Sequence, residues 1–93
     1  MKPKSCRDVF CVASQSEKLT KAQRRKCERV CDAMARHPRL ARAIQERLLA
    51  AYEEDTGKAV VGAIPWQAIL EWLIANGPAI LKFIMSLIAL FGL

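Results

Sequence analysis

The charges of this chain stop two-thirds of the way along it. Residues 1–58 hold 14 of the 15 Lys and Arg and 8 of the 9 Asp and Glu, whereas residues 59–93 hold only Glu71 and Lys82. A stretch so poor in charge must be covered, by protein or by lipid, because each Å² of apolar surface left in water costs roughly 25 cal/mol. The whole chain is 53% apolar, too much for a disordered composition. Its 93 residues make one small domain and leave little room for an enzyme's substrate pocket. The charge boundary divides the chain into a basic four-cysteine helical domain, 1–58, and an apolar anchoring or oligomerisation segment, 59–93.

Caps and breakers predict five helices and an all-α fold. Ser5 can cap a short helix from Cys6 to about Ala13. Thr20-Lys21-Ala22-Gln23 has capping-box spacing and opens a second helix that runs to about Arg36. Pro38 stops it and suits the first turn of a third helix, Arg39 to about Glu54, with Leu40, Ile44, Leu48 and Ala51 on one side. Gly57 can end that helix in a left-handed cap. An apolar connector, 58–64, which could be extended, leads to Pro65 and a fourth helix, Trp66 to Ala75. Asn76-Gly77-Pro78 breaks the chain before a fifth, Ala79 to about Phe91.

The cysteines are spaced Cys6-x4-Cys11-x15-Cys27-x3-Cys31. Cys27 and Cys31 share a helix face with Val30 and Met34. Cys6 and Cys11 diverge by roughly 140° on a regular helix, so the first segment must be irregular if both point inward. In an antiparallel hairpin, Cys6 falls opposite Cys31 and Cys11 opposite Cys27, and two disulfides would staple a pair of helices with little core of its own. A zinc site using Cys6, Cys11, Cys27 and Cys31 is the rival, although zinc knuckles favour shorter spacing. Four reduced thiols packed as small core residues are the third possibility.

Opposite that cysteine face stand Lys18, Lys21, Arg25, Arg29 and Arg36, and the third helix adds Arg39 and Arg42. Residues 1–47 carry 13 basic against 5 acidic side chains. Such a face suits an anionic partner, whether nucleic acid or lipid headgroups, or simply solvent. Glu28 and Asp32 offset part of it at helical spacing. No aromatic interleaves the arginines in sequence, so base stacking lacks a platform. The second and third helices could form a helix-turn-helix, but a proline stands where that turn often has glycine. His37, the only histidine, reads as an exposed junction residue.

Residues 79–93 hold 12 apolar side chains in 15. The expected anchor is Trp66, Ile69, Leu70, Leu73, Ile80, Phe83, Ile84, Leu87, Ile88 and Phe91. The fifth helix is only about 20–22 Å long, short of the roughly 30 Å hydrocarbon core of a bilayer. A helix pair buried in a protein assembly, or lying in a membrane interface, fits better than a simple span. Nothing in the sequence has an enzyme signature, and Glu53-Glu54-Asp55 reads as a solvated turn or a contact for a basic partner. The basic start, Met1-Lys2-Pro3-Lys4, is followed by no apolar run of signal-peptide length, which favours a cytoplasmic or particle-associated setting over secretion.

The leading expectation is a non-enzymatic structural or assembly subunit. It would bury its C-terminal helices against copies of itself or in a larger complex, a virus-like or phage particle being one setting. No small-molecule substrate is expected, nor any cofactor unless the cysteines hold zinc. A membrane-associated protein and a nucleic-acid binder are the alternatives.

Overall fold

A computed structural model describes residues 2–92, apart from the side chains of Pro78 and Ile80; the placing of Ile80 in the apolar anchor therefore lies outside the described residues. Five helices account for the fold: α1 Cys6–Ala13, α2 Lys21–Arg36, α3 Pro38–Thr56, α4 Trp66–Ala75 and α5 Gly77–Phe91. Among the described residues there is no strand.

The helix starts lie where the caps put them. Ser5 Oγ accepts the Asp8 N–H at 3.2 Å, while Asp8 Oδ2 accepts the Lys4 N–H at 3.0 Å. At α2 the box is reciprocal: Thr20 Oγ1 accepts the Gln23 N–H at 3.2 Å and Gln23 Oε1 accepts the Thr20 N–H at 2.8 Å. Pro38 opens α3 with only His37 between it and α2. Gly57, at φ 70°, closes α3 in the left-handed conformation that glycine adopts without a steric penalty.

The break at 76–78 is tighter than its composition suggests. Asn76 alone interrupts the helices, and α5 begins at Gly77. Gly77 is buried, and a Cβ there would stand 3.0 Å from the Gln23 amide nitrogen. The missing side chain lets the start of α5 lie against the start of α2.

α2 is the hub, packed against α1, α3 and α5, and α4 covers α1 and touches α5. One core cluster joins Val9 and Phe10 of α1, Val30 and Met34 of α2, Ile44, Leu48 and Tyr52 of α3, Ile69, Leu70 and Leu73 of α4, and Ile84 and Leu87 of α5. It is continuous across residue 58. The buried stripe of α3 ends on Tyr52, because steps of four residues from Ile44 through Leu48 lead there rather than to Ala51.

The C-terminal helices thus find much of their cover within the chain. Ile84 and Leu87 are fully buried, whereas Met85 is 49% and Leu90 53% exposed. α5 has an inner side in the core and an outer strip in solvent. Among the described residues, no helix is long and apolar enough to cross a membrane.

Candidate functional site

The cysteine pairing differs from the expected one. The disulfide joins Cys11 to Cys31, with Cα atoms 5.4 Å apart, and Cys6 and Cys27 are free, buried thiols. Neither Cys6–Cys31 nor Cys11–Cys27 forms. The reason lies in α1, which is a regular helix throughout. Cys6, Val9, Phe10 and Ala13 follow core spacing and are buried, so Cys11 sits on the flank of that stripe. From there it meets α2 one turn beyond Cys27. With two sulfurs bonded to each other, the four-thiolate zinc arrangement is not assembled. No group of three or more potential metal ligands occurs among the described residues. Burial pushes the Cys6 thiol up to about 12 and the Cys27 thiol up to about 11, which leaves both protonated at neutral pH.

The basic residues Lys18, Lys21, Arg25, Arg29, Arg36, Arg39 and Arg42 are all exposed. Four of them converge. Arg25, Arg29 and Arg36 follow one face of α2, and Arg39 joins them across the His37–Pro38 junction to rim a groove of about 960 Å³. Its remaining lining comes from Glu28, Asp32, Ala33, His37, Leu40, Ala43, Phe91 and Gly92. Lys18, Lys21 and Arg42 stand outside it. Phe91 supplies the aromatic that the basic segment lacks in its own sequence. It arrives from the far end of the chain because α5 runs alongside α2, from Gln23 at its start to the arginine groove at its end. No local signal near the arginines could have announced it.

A second groove, of about 410 Å³, lies at the other end of α3. Glu54 and Asp55 stand on its rim, with Trp72 and Phe83 among its apolar lining. The Trp72 indole N–H donates to Asp55 Oδ2 at 2.6 Å, and the Tyr52 ring meets the indole edge-on at 5.6 Å between centroids. Glu53 Oε2 accepts the Val60 N–H at 2.9 Å and so ties down the connector. Glu53 and Asp55 are thus tied to distant parts of the fold, while Glu54 and Asp55 remain exposed to solvent. The bonded partners lie 7 and 17 residues away, beyond what helical spacing can reveal.

Of the expected anchor, Ile69, Leu70, Leu73, Ile84 and Leu87 are buried, and Trp66, Phe83, Ile88 and Phe91 pack half-buried against them. Comparison of the chain with protein-family models, curated proteins and solved structures finds no match.

Proposed function

We propose that this protein is a non-enzymatic assembly subunit, which docks on its partners through the outer strip of α5 and the groove beside it. The supporting observation is that the exposed face of α5, with Met85 and Leu90 about half exposed on its two margins, ends at Phe91 and Gly92, which line a groove with four arginines on its rim. Magnitudes favour a combined surface over an apolar one. Covering the exposed parts of Met85 and Leu90 gains on the order of 1 kcal/mol each. That is far less than a stable interface of about 1,600 Å² requires, so the charged groove must share in recognition.

Surface variants are the right probe, because deleting α5 would remove Ile84 and Leu87 from the core. Size-exclusion chromatography with light scattering on the detergent-free chain should show a species larger than one copy. Met85→Asp/Leu90→Asp should return it to a single copy with its helix content unchanged. An unaltered assembly in that variant overturns the proposal.

A second reading draws on the same strip. A helix whose exposed face sets Met85 and Leu90 on either side of Lys82, and which ends beside the arginines, is mixed as in a segment lying on an anionic membrane surface. Flotation with anionic vesicles that is lost in Met85→Asp/Leu90→Asp would favour it. A chain that stays out of the vesicle fraction removes it.

A further inference from the structure

We infer that copies of this chain associate head to tail, the acidic end of α3 in one copy docking into the arginine groove at the start of α3 in the next. The inference deepens the assembly reading and rests on it.

The charges of α3 run against the ordinary helix preference. Its first turn holds no acidic residue and follows Arg36 with only His37 between, with Arg39 and Arg42 within it or just beyond; its last turn holds no basic residue and contains Glu53, Glu54 and Asp55. The helix macrodipole places partial positive charge at the first end and partial negative charge at the last. Side chains therefore reinforce the dipole at both ends instead of offsetting it, an arrangement that disfavours the isolated helix by about 0.3–1 kcal/mol at each end.

The two ends also lie on opposite sides of the molecule. Nineteen residues span about 28 Å at the helical rise, and the whole protein measures 29 × 29 × 25 Å. Each end opens into a groove with apolar lining, one rimmed by arginines and containing Phe91, the other rimmed by Glu54 and Asp55 and containing Trp72. Glu28 and Asp32 also line the first, and its four arginines keep it net positive.

The exposed Glu54 and Asp55 at one end of the molecule are complementary in charge to the arginine-rimmed groove at the other end of a second copy. Docking one into the other meets the unbalanced charge at both helix ends and aligns the two α3 dipoles in series. The contact is heterologous, since different surfaces meet. It propagates into a ring if the rotation between copies closes, and into a filament if it does not.

Sedimentation velocity tests this with two variants and their mixture. Arg36→Glu/Arg39→Glu makes the first groove acidic, and Glu54→Lys/Asp55→Asn removes the negative charge of the second while keeping an acceptor for the Trp72 N–H. Circular dichroism checks that both retain the fold. Wild type should associate with concentration, and at least tenfold more weakly as salt rises from about 20 mM to about 0.5 M. Each variant alone should sediment as a single copy, and an equimolar mixture should associate again, because it brings back one native pair of surfaces. A wild type that stays a single copy at low salt overturns the inference, as do variants that associate like wild type. If the charge variants stay assembled and only Met85→Asp/Leu90→Asp dissociates, head-to-tail docking fails while assembly through α5 stands.

Discussion

Cys11 shows how little freedom a short helix leaves its side chains. Five residues from Cys6, it cannot share the buried stripe, so the disulfide goes to the cysteine of α2 that the flank can reach. The bond closes a span of 20 residues, worth about 3 kcal/mol on the chain-entropy estimate. Cys11→Ser/Cys31→Ser should lower stability by about that amount in urea unfolding. The other two thiols behave in the opposite way. Cys6 and Cys27 are shut in the core, and a thiol reagent at neutral pH should find none in the native chain and two after denaturation. Their pKa values are raised from 9.0 to about 12 and about 11, so the folded state favours the protonated form. The resulting stability is whole below pH 9.0, where neither state ionises. It is lost as pH rises towards 12, because the unfolded thiols give up their protons first. Cys6→Ala/Cys27→Ala should show a shallower fall in stability across that window. Sequence placed all four cysteines on α1 and α2. It could not choose their pairing, since the antiparallel register assumed a first segment bent to turn two cysteines inward.

The elements were readable where local chemistry decides them. Ser5, Thr20, Pro38 and Gly57 act within four residues of themselves, and each marks a helix boundary as the structure has it. Thr20→Ala should cost about 1 kcal/mol by opening the reciprocal box with Gln23, measured as a lower midpoint of thermal unfolding. What sequence could not supply were contacts between elements. Phe91 reaches the arginine groove and Trp72 reaches Asp55 only because α5 lies along α2 and α4 turns back over α1. The hydrophobic pattern of α5 shared this ambiguity. A helix apolar over most of its circumference must be covered, but the pattern does not say by what. In the structure the cover comes from two sources, the chain's own core for Ile84 and Leu87, and a surface left open at Met85 and Leu90.

At the scale of the molecule, the charge boundary at residue 58 does not coincide with a boundary in the core. The basic helices have too few apolar residues to make a core alone, and the apolar helices have too few charges to stay in water alone. Each half supplies what the other lacks, with α2 packed between α1, α3 and α5. Leu87→Ala should therefore destabilise the whole chain by about 2–5 kcal/mol, the cost of a cavity in a shared core, with a single unfolding transition. The same change in a separate anchor would leave the basic helices untouched. Hydrogen exchange on the detergent-free protein reads this division most directly. The amides of α5 around Ile84 and Leu87 should be protected as strongly as those of α2 around Val30; rapid exchange through α5 beside a protected α2 would contradict the shared core.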